Sequence, residues 1–118
     1  MSKNFFDYLK LSTINKIEPV AEELSVSKVA RGPGGFLEVY RRVRGRPDSM
    51  KNQWYTERHN WNKRREGFIK RHMAQIQKQD EPIWDENGHP TRRHLALMMW
   101  AYSPDPEGVL SWLEEMKK

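Results

Sequence analysis

The stretch that decides the fold is Thr91-Arg92-Arg93-His94-Leu95-Ala96-Leu97-Met98-Met99-Trp100-Ala101-Tyr102. Thr91 is a good helix opener, and the first turn behind it is polar. Beyond that turn the segment is apolar on most sides. This predicts a helix at the centre of a core, because a surface helix keeps one polar face. Ser103-Pro104 stops it. Downstream, Val109, Leu110, Trp112, Leu113 and Met116 recur at helical spacing, which predicts a last helix over 106–116.

Upstream lies a polar connection, 79–90. Its Asn87-Gly88 pair is a tight-turn signal, because both residues tolerate the left-handed conformation. With Ile83 and Trp84 before it, the turn predicts one small β-hairpin near 83–90. From Met50 to Lys78 there is no proline and only one glycine, Gly67. Asp48 or Ser49 would cap this segment, and it reads as one long helix or as two broken at Gly67. Trp54, Trp61 and Phe68 stand seven apart, on one helix face. That face suits a core, and equally a homo-oligomer seam.

Gly32-Pro33-Gly34-Gly35 is the clearest breaker. A short amphipathic helix, 36–43, follows it and ends at Gly45 and Pro47. Pro19 is expected to open another helix, with Glu22 and Glu23 near its start and Val20, Leu24 and Val29 inward. Residues 2–12, with Phe5, Phe6, Leu9 and Leu11, predict a first short helix capped by Ser2. The expected fold class is all-α: a compact irregular bundle of about five helices in a single domain over 1–118.

At 118 residues the chain suits one domain. Only 36% of it is hydrophobic, but five Trp, four Tyr, four Phe and six Met can anchor a small core. The absence of cysteine excludes disulfides, thiolate metal sites and cysteine nucleophiles, and it fits a reducing compartment. The longest strongly apolar stretch, 95–102, is far short of the roughly 20 residues of a bilayer span. A cytoplasmic protein with no membrane partner is expected.

The net charge of +5 is unevenly distributed. Between Lys28 and Lys78 there are fourteen Lys or Arg against four acidic residues; elsewhere there are seven against twelve. Such asymmetry marks a surface for polyanions, or else a solvated helix face. The candidate nucleic-acid contacts are Arg41, Arg42, Arg44 and Arg46, then Lys63, Arg64, Arg65, Lys70 and Arg71, then Arg92 and Arg93. A phosphate backbone needs several cations spread over a surface, and Arg pairs phosphate oxygens well. Trp54, Tyr55 and Trp61 could stack on unpaired bases, or be core. Arg92, Arg93 and His94 occupy a first helical turn, where the dipole disfavours cations. A bound anion would relieve that conflict. So would pairing with Asp80, Glu81, Asp85 or Glu86 just upstream.

Other chemistries find little support. A helix-turn-helix over 24–42 has a long, stiff break and a short second helix. The glycines of the break could approach a phosphate, but the ending of a nucleotide-binding P-loop is missing. His59, His72, His89 and His94 match no metal spacing. Asp85, Glu86 and His89 share a turn that could gather a cation, or simply be solvated. No catalytic triad pattern appears, and no cofactor is implied.

Two further stretches carry a resemblance. Arg64-Arg65-Glu66-Gly67-Phe68-Ile69-Lys70-Arg71-His72 and Pro90-Thr91-Arg92-Arg93-His94-Leu95-Ala96-Leu97, followed by Trp100-Ala101-Tyr102-Ser103-Pro104, resemble small uncharacterised proteins of tailed bacteriophages. The resemblance spans about residues 30–105. It implies a viral origin and work in the bacterial host cytoplasm or in the virion, and it transfers no activity and no site residue. The function expected is that of a nucleic-acid-binding accessory protein, for DNA or RNA. The alternative is a non-enzymatic interaction protein that docks on a host or virion protein. A small nuclease using His59, His72 or His94 is the third reading.

Overall fold

The computed structural model describes residues 8–33, 35–46 and 61–116. Among them are six helical segments and no strand: α1 Leu11–Glu23, α2 Lys28–Arg31, α3 Phe36–Arg42, α4 Trp61–Gln79, α5 Arg92–Met98 and α6 Pro106–Met116. The fold is all-α, as expected. The hairpin near 83–90 reduces to one antiparallel bridge, Trp84 with Pro90, around a turn with Gly88 at φ 78°. Asp85 orders this turn. Its Oδ1 accepts from the backbone N–H of Asn87 and of His89, at 2.8 and 2.9 Å. Those bonds, that to His89 first, hold its carboxyl below the usual carboxylate range.

The helix α5 is the axis. Thr91 caps it, its Oγ1 accepting from His94 N at 3.4 Å. Leu95, Met98 and Met99 enter the main core, and Leu97 joins Ile69 and Tyr102 in a second cluster beneath α4. Ile14, Ile17 and Ala21 come to the main core from α1, and Val109, Trp112 and Leu113 from α6. Four of the seven residues of α3 are buried there: Phe36, Leu37, Val39 and Tyr40. Its outer residues, Glu38, Arg41 and Arg42, are tied to one another or to α1, and seven residues make a short recognition helix. The glycine break serves close packing instead. A Cβ on Gly35 would stand 2.1 Å from the carbonyl oxygen of Val29, so only glycine lets α3 start against α2.

Pro19 does not open a helix. It lies inside α1, which the buried set Thr13, Ile14, Ile17 and Ala21 carries straight through it. Leu24 and Val29, expected inward, are exposed, and Glu22 and Glu23 fall at the end of α1 rather than the start of a helix. Gly67 does not interrupt α4. Of the other expectations, the helix over 2–12 falls largely on residues 1–7. That part, the caps Asp48 and Ser49, and Met50, Trp54, Tyr55 and His59 lie outside the described residues.

Four helices close in one manner. Ser25, Arg44, Asp80 and Ala101 adopt φ of 57°, 59°, 50° and 61°. In each case the next N–H reaches back five residues: Val26 to Ala21, Gly45 to Tyr40, Glu81 to Ile76 and Tyr102 to Leu97. This is the left-handed closure usually given to glycine.

Candidate polyanion interface

The nineteen residues of α4 carry six Lys or Arg and one acid, Glu66. At 100° per residue, Lys63, Arg64, Lys70, Arg71 and Lys78 fall within an arc of about 120°. All five are exposed. They span about 22 Å at 1.5 Å per residue, comparable to about six steps of a nucleic-acid strand at 3.4 Å each. Lys63 and Arg64 sit in a first turn without an acidic residue, where the helix dipole works against them. Like charges along one face do not help a helix form.

The opposite face of α4 fixes this stripe in place. Phe68 stacks on Trp100 at 4.8 Å between centroids, and Trp100 on Phe36 at 5.2 Å. Phe36 stacks in turn on Tyr40 at 5.7 Å. The series joins α4 to α3 across the end of α5. Phe68, Met73 and Ile76 pack around Ile69, Leu97 and Tyr102. Every aromatic ring in these contacts belongs to packing between elements. Trp61 begins α4, but its side chain, like Trp54 and Tyr55, is outside the described residues, so the expected stacking platform for bases has no described member.

Arg65 departs from the expectation most sharply. Expected among the surface cations, it is fully buried. Its Nε donates to the carbonyl of Trp100 at 2.6 Å and its Nη2 to that of Ala101 at 2.8 Å. Its guanidinium carbon lies 3.7 Å from the centroid of the Tyr8 ring. Those carbonyls follow the end of α5, where a cation is favoured. Burial lowers the Arg65 pKa to about 10, with Tyr8 and then Tyr40 opposing the shift. It therefore stays charged at neutral pH. Burial also pushes the Tyr8 and Tyr40 phenols up to about 12. The helical register contains the signal for this: Arg65 shares a face with Phe68, Ile69 and His72.

The remaining candidates divide. Arg41 is half-buried and bonded to Glu18 and Asn15 of α1, the latter at 2.9 Å from Nη2. Arg42 pairs with Glu38 one turn back, at 3.0 Å. Arg44 and Arg46 are exposed beyond the end of α3. Arg92 is exposed and donates to the carbonyl of Leu24 at 2.7 Å. Arg93 pairs with Glu81 at 2.7 Å, the upstream pairing that was the alternative to a bound anion. The structure thus aligns Lys63, Arg64, Lys70 and Arg71, adds Lys78, and removes Arg65 from the surface.

Two histidines show what else the fold does with polar groups. The Nδ1 of His94 is 2.9 Å from the carbonyl of Ile83, and its Nε2 is 2.7 Å from Ser103 Oγ. A carbonyl can only accept, so Nδ1 carries the proton and Nε2 accepts from the serine. This order resembles a nucleophile, base and orienting group. Both side chains are buried, however, and neither lines the clefts described below. Among the described residues, no group of three His, Cys, Asp or Glu is arranged to hold a metal ion. Nor is any described helix long and apolar enough to cross a membrane.

Compared with known proteins, the chain matches no family model, no curated protein and no solved structure.

Proposed function

We propose that this chain binds the phosphate backbone of nucleic acid through the outer face of α4, as an accessory protein. The observation that carries this reading is the exposure of Lys63, Arg64, Lys70, Arg71 and Lys78 on one face of a helix whose other face is packed in the core. A row of cations on a helix already packed in the core neutralises phosphates without ordering the backbone and reads no base edges, so it supports binding with little sequence preference. The resemblance to tailed-phage proteins supports a viral protein acting in the bacterial cytoplasm or in the virion. Titration of a labelled oligonucleotide, single- or double-stranded, tests the reading. Binding should be clear at low salt and weaken steeply with added salt. No binding at low salt would overturn it.

A second reading, docking on a host or virion protein, is favoured by a cleft of about 500 Å³ between the 85–89 turn and α6. Trp84, His89, Asp105, Trp112, Glu115 and Met116 line it. Trp and Met are common at protein interfaces. Capture from nuclease-treated bacterial lysate separates the readings. A partner that survives nuclease and is lost in Met116→Ala, a variant of an exposed cleft residue, supports docking; one that vanishes with nuclease supports nucleic acid.

A further inference from the structure

A separate polar cleft of about 380 Å³ opens between the α1–α2 turn, the inner edge of α4 and the start of α5. It is lined by Ser25, Ser27, His72, Glu81, Arg92 and Arg93. Its charged groups are already oriented. Arg93 Nε donates to Glu81 Oε2 at 2.7 Å, and Arg93 Nη1 lies 2.8 Å from His72 Nδ1. A guanidinium can only donate. The Nδ1 of His72 therefore accepts, and the ring proton sits on Nε2. The His72 ring is itself stacked on Phe68 at 4.1 Å. Arg92 Nη1 is held by the carbonyl of Leu24.

The remaining donors point to a ligand class. Among the described residues, no acceptor is bonded to Arg92 Nε or Nη2, to Arg93 Nη2 or to His72 Nε2. Two guanidinium groups face one carboxylate, and that carboxylate is engaged. Such a set suits a ligand that offers several acceptor oxygens and negative charge, and it repels a cation. The volume leaves room for a sugar beside the anion.

We propose that this cleft binds one phosphate monoester group, its oxygens accepting from Arg92, from Arg93 and from Nε2 of a neutral His72. The site is distinct from the outer face of α4, but His72 follows Arg71 directly, so the cleft begins at the edge of the basic stripe. The monoester is either the 5′ end of a nucleic-acid chain lying on that face or a free phosphate or nucleotide. The claim about the cleft does not depend on backbone binding by α4.

The test is nuclear magnetic resonance of the imidazole groups in the full chain at pH 7.5, where a phosphate monoester is mainly a dianion. Inorganic phosphate is the first probe. A saturable shift of the His72 resonances is expected, with those of buried His94 unmoved, and a nucleoside 5′-monophosphate should compete. Arg92→Ala should weaken phosphate binding about tenfold or more, as loss of charged hydrogen bonds does. Arg92→Lys, which keeps the charge without the planar fork, should fall between. The Arg92 side chain is exposed, and an unchanged His94 spectrum shows that the variant is folded. Two oligonucleotides then separate the sources. Tighter binding of the 5′-phosphorylated strand than of its 5′-hydroxyl twin, abolished by Arg92→Ala, identifies a chain end. Equal binding of both, with phosphate still shifting His72, identifies the free anion. A His72 signal that does not respond to phosphate, or responds equally in Arg92→Ala, overturns the proposal whether or not oligonucleotides bind to α4.

Discussion

The Nε of Arg65 lies 2.6 Å from the carbonyl oxygen of Trp100, thirty-five residues away in the chain. One fully buried guanidinium on α4 thereby closes the end of the core helix, beside the left-handed Ala101. Next to it in sequence, Arg64 is exposed. The two neighbours should respond very differently to truncation. Arg65→Ala leaves the buried Trp100 carbonyl without its donor and the Ala101 carbonyl with only the Leu9 N–H, and bonds from a charged group contribute about 1.5–3 kcal/mol each. A loss of about 3 kcal/mol or more is expected by urea unfolding. Arg64→Ala should stay within about 0.5 kcal/mol of the parent.

Acid should loosen the fold. Burial holds both His94 and His72 below the ordinary value of 6.5; Arg93 and then Arg71 reinforce this at His72, while the Ile83 carbonyl and Asp105 oppose it at His94. Below about pH 6.5 the unfolded chain takes up protons at these positions that the folded chain resists. The unfolded state then binds more protons, so stability rises with pH through this window and is lost as pH falls. The urea midpoint should drop between pH 7.5 and pH 5. A His94→Gln variant should show a flatter profile, though lower stability at pH 7.5.

Glycine in place of Asp80 should stabilise the protein. Asp80 is exposed, ends α4 and has φ 50°. Glycine adopts that conformation without the penalty of a Cβ. A gain of about 0.5–1 kcal/mol is expected, read as a thermal midpoint a few degrees higher. An unchanged or lower midpoint would count against the left-handed closure.

Replacing Pro19 by Ala is the complementary case. Pro19 sits inside α1, where it can supply no hydrogen bond to the turn before it. Alanine restores that donor, at some cost through the freer unfolded chain. A net stabilisation of about 1–2 kcal/mol is expected in the same unfolding assay.

These sites also show how much of the fold could be read in advance. The last helix was legible because Pro106 starts it and Val109, Trp112 and Leu113 mark one face. The core position of α5 followed from its unbroken apolar run. Pro19 misled, because a proline usually marks a boundary, while the burial of Ile14, Ile17 and Ala21 outweighed it here. The end of α3 was marked by Gly45, but the closures at Ser25, Asp80 and Ala101 were silent, since no glycine signals them. Gly35 was correctly read as a break, but its purpose, contact with the Val29 carbonyl, is a tertiary fact.

The candidate site was partly legible. Spacing alone places Lys63, Arg64, Lys70 and Arg71 on one face. The same spacing puts Arg65 on the opposite face, and counting charges without angles hid it. The ties of Arg41 to Glu18 and of Arg93 to His72 join different elements. No local pattern announces them; the first-turn cations Arg92 and Arg93 already suggested an anion, but that His72 of α4 joins them in one cleft is a tertiary fact.

The most direct measurement is the dependence of oligonucleotide affinity on salt, compared between the parent chain and Lys70→Ala/Arg71→Ala. Each exposed cation that contacts a phosphate should contribute about 0.9 to the slope of log K against log salt for duplex, or about 0.7 for a single strand. The double variant should therefore flatten the slope by about 1.8 for duplex or about 1.4 for a single strand, while Arg42→Ala, whose side chain is paired with Glu38, should leave it almost unchanged. Equal slopes for the parent and the double variant would contradict the assignment of α4 as the phosphate-binding face.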